Sequence, residues 1–176
     1  MPRRRASRDW SPEENRQPMD RALRLSFPDS GASCVAPLLH DVAPRTCDAV
    51  WEGLPLAGAT VHGMYSGPEV FITADGLPDV ELENGVHRAQ PGDIGYWLNP
   101  PGRYATTPQR VVEIVLIYDR GAAIMGPDGQ PTFVNLFARV TGDWDAFRQA
   151  AKATRTQGPA RLLIERGDLL AGRDET

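Results

Sequence analysis

Side chains that can hold or transfer protons occur inside the apolar segments of this chain. His62 lies in the segment 60–65, and Glu113 is the one charge in the very apolar segment 111–118. A buried carboxyl must be paired or neutralised, which raises its pKa into the range useful for general acid–base catalysis. Histidine titrates close to neutral pH. We therefore predict His62 and Glu113 as catalytic residues. The alternatives are a His62 bonded to backbone and a Glu113 on the outer surface.

A second group of polar side chains is suited to orienting a small molecule. Hydroxyl, carboxylate and amide groups next to apolar surface give a ligand site its directionality. We predict a cleft near His62, with five ligand-binding residues: Tyr65, Glu69, Glu83, Tyr96 and Asn135. A structural role for Asn135 is equally compatible with the sequence. For Asn84-Gly85 a hairpin turn is favoured, since this dipeptide is typical of such turns.

Metal and cofactor motifs are absent from the sequence. His62, His87 and nearby glutamates could in principle bind a metal, but no HxH, HxxxH or HxxE spacing supports this. Nucleotide-phosphate loops and the GxSxG serine motif are also missing. The two cysteines, Cys34 and Cys47, lack CxxC spacing and fit buried thiols. We expect no metal and no cofactor.

Composition indicates one globular domain. The chain has 176 residues, 41% of them hydrophobic, and a net charge of −4. Residues 1–19 are basic and lack periodicity, so we predict a disordered tail there and a single domain over residues 20–176. The acidic body argues against nucleic acid as a partner. Neither an export signal nor a membrane-spanning segment is recognisable, and we expect a cytoplasmic protein. All but one of the 19 basic residues are arginines, which fits a GC-rich bacterial genome.

Apolar periodicity predicts mostly antiparallel strands with two helices. Helices are expected at residues 44–54, where Pro44 suits the first position, and 143–154, where Asp143 can cap. Strands are expected at residues 22–27, 33–39, 60–65, 69–73, 80–83, 93–98, 111–118, 133–140 and 160–165. A loop at residues 119–131 is placed to cover a cleft.

The order of these elements resembles the cyclophilin-like barrel. More closely, the chain resembles a bacterial family of uncharacterised cyclophilin-like proteins, the DUF3830 type. The matching segments are Ala43-Pro44-Arg45-Thr46-Cys47, Leu54-Pro55-Leu56, Val61-His62, Glu83-Asn84, Pro91-Gly92-Asp93-Ile94-Gly95-Tyr96 and Asn135-Leu136-Phe137. The resemblance implies a mainly β fold with two helices, in which about eight strands form a closed antiparallel β-barrel.

Prolyl isomerase activity does not follow from this resemblance. Isomerases of this fold carry a Phe-His-Arg strand and then a Gln-Gly-Gly segment, and the arginine steadies the twisting amide. This chain has Val61-His62-Gly63 and no Gln-Gly-Gly. Fold alone does not restore the activity.

The function expected from the sequence is small-molecule binding in bacterial metabolism. One form of it is an enzyme acting on a cyclic amide or a small carboxylate. The alternatives are a non-catalytic peptide-binding module and a partner subunit of a metabolic enzyme, and a homo-oligomer is compatible with each.

Overall fold

The computed structural model describes residues 21–167, which form ten strands and two helices. The predicted tail, residues 1–19, lies outside the described residues. The elements in chain order are β1 (Ala22–Phe27), β2 (Ala32–Pro37), α1 (Pro44–Gly53), β3 (Leu56–Ala59), β4 (Val61–His62), β5 (Glu69–Thr73), β6 (Gly85–Val86), β7 (Asp93–Asn99), β8 (Val111–Ile117), β9 (Val134–Arg139), α2 (Asp145–Gln157) and β10 (Arg161–Gly167).

The strands form two antiparallel sheets. One has four strands in the order β2-β1-β10-β3, and the other has six in the order β4-β5-β8-β7-β9-β6. The mainly β fold with two helices is therefore confirmed. Closure of these sheets into a single barrel stays a prediction.

Both helices cover the core with an apolar face. In α1, Pro44 stands at the start, and Cys47, Val50 and Trp51 are buried one helical turn apart. In α2, Phe147 is completely buried, and its ring centroid lies 4.8 Å from that of Phe27 on β1. Neither helix of the described region combines the length and apolarity that a membrane crossing requires.

Four short segments differ from the sequence-based prediction. The strand expected at 60–65 is only Val61–His62, and Leu56–Ala59 forms a strand where none was expected. Residues 80–83 form no strand, because apolar–polar alternation shows a buried face without supplying a backbone partner. Asn84-Gly85 is not a hairpin turn: the Asn84 amide donates to the Leu136 carbonyl, and Gly85 pairs with Asn135.

The central strand β8 has apolar contacts on both of its faces. Val112, Ile114 and Leu116 belong to the main core. Val115 and Ile117 point to the opposite face, where they form a second cluster with Trp97, Tyr104, Ile124 and Val134 among others. Side chains alternate along a strand, so Glu113 shares this second face. The face that carries the second cluster is where the candidate site lies.

Candidate functional site

Strand register brings Glu69 and Glu113 to the same face of the six-stranded sheet. On β5 and β8, Glu69 pairs with Ile117, Phe71 with Val115 and Thr73 with Glu113. The two glutamates thus stand at opposite ends of a short apolar platform. Four residues of strand separate their positions, which corresponds to about 13 Å along the strand direction.

The two carboxyls line one pocket of about 440 Å³, which we call the acidic pocket. Phe71 and Val115 lie between the glutamates, and Trp97 is the cross-strand partner of Glu113. Residues 63–66 and 124–127 border the pocket, so part of the loop predicted to cover a cleft does line one. No lysine or arginine lines the pocket in the described part of the chain. It therefore combines an apolar floor with two carboxyls and no counter-charge.

Burial raises the pKa of both carboxyls. The pKa of Glu69 rises to about 7 because of burial, and the Ser66 hydroxyl offsets part of the rise. The pKa of Glu113 rises to about 8, first through burial and then through the charges of Glu69 and Asp75. Within residues 21–167, the carboxyl of Glu113 has neither a hydrogen bond nor an ion pair. Both groups thus titrate near neutral pH, where acid and base forms coexist.

In the described residues 21–167, two polar atoms of pocket-lining residues are buried without a hydrogen-bond partner. They are Oε2 of Glu69 and Nε1 of Trp97. An unpaired buried polar atom costs free energy, so natural structures seldom leave one. The Glu69 oxygen is an acceptor, or a donor when the carboxyl is protonated, and the Trp97 nitrogen is an N–H donor.

Gly63 makes room for the Glu69 side chain. A Cβ at position 63 would lie 2.4 Å from both Cγ and Oε1 of Glu69, closer than real contacts allow. Gly63, which stands where the isomerase pattern has arginine, therefore has no side chain in this space, and the side chain of Glu69 fills it.

His62 does not line the acidic pocket, contrary to the prediction of a single cleft. Its Nε2 lies 2.7 Å from the Tyr118 hydroxyl, and its Nδ1 lies 3.0 Å from the Gly63 carbonyl oxygen. Its cross-strand partner is Val70, a main-core residue, so His62 belongs to the face of the sheet opposite Glu69. Both of its ring nitrogens are engaged in structural contacts there. It borders a second pocket, which shares Gly63 and Met64 with the acidic pocket.

The other predicted ligand-binding residues are spread over three places. Tyr65 lies at the rim of the acidic pocket and is 57% exposed. Tyr96 is buried, and its hydroxyl donates to the Pro78 carbonyl. Asn135 accepts from the Glu83 amide at 2.8 Å and donates to the Glu81 carbonyl at 3.0 Å. Asn135 and Tyr96 border a separate groove and hold loop 78–84 in place.

Glu83 stabilises the start of α1. Its Oε1 accepts from the backbone N–H and the hydroxyl of Thr46, both at 2.7 Å, and Oε2 accepts from Arg45 at 3.0 Å. Burial acts to raise the pKa of Glu83, but these hydrogen bonds outweigh it and hold the pKa below its usual range. A carboxylate at a helix N-terminus meets free N–H groups, which explains the bonds.

The remaining metal and thiol candidates are not assembled into a site. In residues 21–167, no three His, Cys, Asp or Glu side chains converge in a way that could hold a metal. Burial raises the pKa of both cysteine thiols to about 12. The Cys47 thiol donates to the Phe137 carbonyl at 3.3 Å, as a packed side chain would.

One known protein family matches this chain. The model of the family "Protein of unknown function (DUF3830)" matches residues 25–164, which is most of the chain. The chain belongs to this family. The family predicted from the sequence is thereby confirmed. No curated protein matches the chain.

Two solved structures share the fold of this DUF3830 protein. McbB, determined in complex with tryptophan, superposes with a TM-score of 0.59 at 16% identity, covering 81% of this chain but only 44% of McbB. The hypothetical protein AF2241 from Archaeoglobus fulgidus gives a TM-score of 0.57 at 19% identity, covering 87% of this chain and 99% of its own. At these identities the likeness shows a common fold, which is cyclophilin-like.

Sequence reasoning missed Trp97 and Ser66 at the acidic pocket. Trp97 lies in the predicted strand 93–98, where any aromatic residue is expected to pack. Its position opposite Glu113 depends on the pairing of β7 with β8. Ser66 accepts from the Met125 amide at 3.0 Å and so links the two loops that border the pocket. No local pattern in the sequence marks either residue.

Proposed function

We propose that this DUF3830 protein binds a small neutral molecule in the acidic pocket and catalyses a proton transfer on it. The observation that carries the proposal is the placement of a buried carboxyl, Glu69, and a half-buried one, Glu113, at opposite ends of one apolar platform. Neither carboxyl has a cationic partner in the described part of the chain.

The two carboxyls are suited to different roles. Glu113, with a pKa of about 8, carries a proton at neutral pH and acts as the general acid. Glu69, with a pKa of about 7, is partly ionised at the same pH and acts as the general base. Because their charges interact, loss of a proton from one disfavours loss from the other, so one acid and one base is the preferred state.

The substrate class follows from the groups around the pocket. A cyclic amide offers an N–H to a carboxylate and a carbonyl to a protonated carboxyl. Its ring would lie on Phe71 and Val115. In the reaction, Glu69 removes a proton from the amide nitrogen or from the carbon beside the carbonyl. Glu113 delivers a proton to the carbonyl oxygen, and the product is a tautomer of the substrate.

Small carboxylates are poorer candidates for the acidic pocket. An anion that enters the pocket is repelled by the ionised form of Glu69. Burial already disfavours the ionised form of Glu113, and a bound anion would disfavour it further. Of the two substrate classes expected from the sequence, the cyclic amide is the one that the charges favour.

A thermal-shift screen at pH 7 tests the proposal. The probes are 2-piperidone, glutarimide and hydantoin as neutral cyclic amides, acetate and benzoate as carboxylates, and benzylamine as a cation. We expect a cyclic amide to raise Tm, by the equivalent of about 2.7 kcal/mol at 100 times its Kd. A bound amide is then incubated in D₂O, and NMR follows exchange at the carbon next to the carbonyl.

Three variants make the result specific. Glu69→Gln is expected to abolish exchange while keeping binding, since the amide side chain cannot act as a base. Glu113→Gln is expected to slow it about 10²-fold or more, the usual contribution of a general acid. Glu52→Gln, at an exposed position, is the matched control. Binding of the cation alone, or equal exchange in Glu69→Gln, would overturn the proposal.

A further inference from the structure

A second pocket lies beside the acidic pocket and has the opposite charge. It measures about 460 Å³ and shares Gly63 and Met64 with the acidic pocket. Three basic residues line it, Arg120, Lys152 and Arg155, against one acidic residue, Asp119. In a chain of net charge −4, such a basic concentration does not follow from overall composition. We call it the basic pocket.

The inner wall of the basic pocket is neutral and polar. Nδ1 of His62 lies 3.0 Å from a carbonyl oxygen, which can only accept, so Nδ1 carries a proton. In the neutral ring Nε2 then accepts from the Tyr118 hydroxyl, 2.7 Å away. The His62–Tyr118 pair thus satisfies its own hydrogen bonds and adds no negative charge to the wall.

The basic residues are poorly compensated. Lys152 has one ion pair, with Asp119 at 4.0 Å, the limit of such a contact. Within residues 21–167, Arg120 and Arg155 form no ion pair with a carboxylate. Arg155 lies close enough to Tyr118 to lower the pKa of its hydroxyl, against the larger effect of burial, which raises it. The charge of Arg155 therefore acts on a hydroxyl of the inner wall.

The three cations come from two elements that meet at this pocket. Arg120 follows β8, whereas Lys152 and Arg155 stand three positions apart on α2 and so share one face of the helix. Guanidinium and ammonium groups converging on a cavity are the arrangement by which proteins bind oxyanions.

We propose that the basic pocket binds a small oxyanion, a phosphate or carboxylate group, on Arg120, Lys152 and Arg155. This site is separate from the acidic pocket, and it stands whether or not the acidic pocket is catalytic. Phosphate is expected to bind more tightly than acetate, because a dianion gains more from three cations than a monoanion does.

NMR titration of the full chain with inorganic phosphate, and separately with acetate, tests the proposal. Ionic strength is held constant with chloride, since screening weakens exposed charge interactions. We expect saturable shifts of the backbone amides of Gly67, Asp119, Arg120 and Lys152. Tighter binding of phosphate supports a phosphoryl ligand, and tighter binding of acetate supports a carboxylate ligand.

Variants of opposite sign separate this site from general surface charge. Arg155→Gln is expected to weaken phosphate binding about tenfold, the usual value of one charge-assisted hydrogen bond. Asp119→Asn is expected to strengthen it several-fold by removing the one nearby carboxylate. Arg161→Gln removes the same charge from an exposed position on β10 and is expected to leave phosphate binding unchanged.

Two results would overturn the proposal. One is a set of weak, unsaturated shifts spread over the whole surface. The other is an Arg155→Gln variant that loses thermal stability but binds phosphate as the wild type does. Arg155 stands in the last turn of α2, so that second result would mean that it only stabilises the helix end.

Discussion

Replacing Glu113 by glutamine is expected to make the protein more stable at high pH and to leave its stability unchanged at low pH. The pKa of Glu113 rises from 4.5 to about 8 in the folded chain. Below pH 4.5 the carboxyl is protonated in both the folded and the unfolded state, and its ionisation costs nothing. Between these two values the unfolded chain releases the proton more readily, so the free energy of unfolding decreases as pH rises. Above pH 8 the loss is complete.

The size of the effect follows from the pKa. Each pKa unit corresponds to about 1.4 kcal/mol, so ionising Glu113 in the folded chain costs about 5 kcal/mol at most. The acidic pocket is open to solvent, and part of the rise depends on the charge of Glu69, so we expect about 2–3 kcal/mol. Glutamine has nearly the same shape and never ionises. It should avoid this cost at pH 9 and be close to neutral in its effect at pH 4.5.

Urea unfolding of the wild type and of Glu113→Gln at five pH values between 4.5 and 9 measures this difference. Glu52→Gln, which changes an exposed carboxyl, is the control and should follow the wild type throughout. If Glu113→Gln and the wild type lost stability in parallel between pH 5 and 9, Glu113 would not be a buried, unpaired carboxyl. The acid–base roles assigned to the pocket would then lose their basis.

Three further changes test the roles assigned to Gly63, Glu83 and Cys47. Gly63→Ala would place a Cβ 2.4 Å from the Glu69 side chain and should destabilise the protein by about 1–3 kcal/mol in the same urea experiment. The control is Gly76→Ala, where nothing lies within 4 Å of the added Cβ, and it should cost less than half as much. Glu83→Gln should lower the free energy of unfolding by about 1–2 kcal/mol at pH 7, because the pKa of Glu83 is lowered in the folded chain. This loss should shrink as the pH falls through that pKa. A constant loss from pH 7 to 3 would contradict the role assigned to its carboxylate. Cys47 is fully buried, and the pKa of its thiol is raised to about 12. A thiol reagent at pH 8 should therefore modify Cys47 only as fast as the protein opens. Rapid modification would show that the thiol is accessible in the folded protein.

Local patterns were sufficient to predict the larger elements and the family. The predicted strands at 22–27 and 69–73 match β1 and β5, because their apolar residues and turn signals are contiguous in the chain. Helix α1 begins at Pro44 as expected, since the fixed φ of proline suits a first helical position. The ordered set of short motifs identified the DUF3830 family, and the match over residues 25–164 agrees with it.

The composition of the candidate site was decided by long-range pairing. Period-two alternation along β8 shows that Glu113 lies on the face opposite Ile114, but it does not show which face is the main core or what covers the other one. Only the pairing with β5 and β7 places Glu69 and Trp97 on the face of Glu113. A different pairing, of β4 with β5, sets His62 opposite Val70, and His62 borders the basic pocket.

Residue type by itself did not separate catalytic candidates from structural ones. Glu83 and Glu69 are both glutamates beside apolar segments, yet Glu83 binds the free N–H groups at the start of α1 while Glu69 keeps an unpaired oxygen. The sequence determined which segments fold and which residues could ionise. The tertiary structure decided which carboxyls lost water without gaining a partner, because a carboxyl's partner comes from segments distant in the chain.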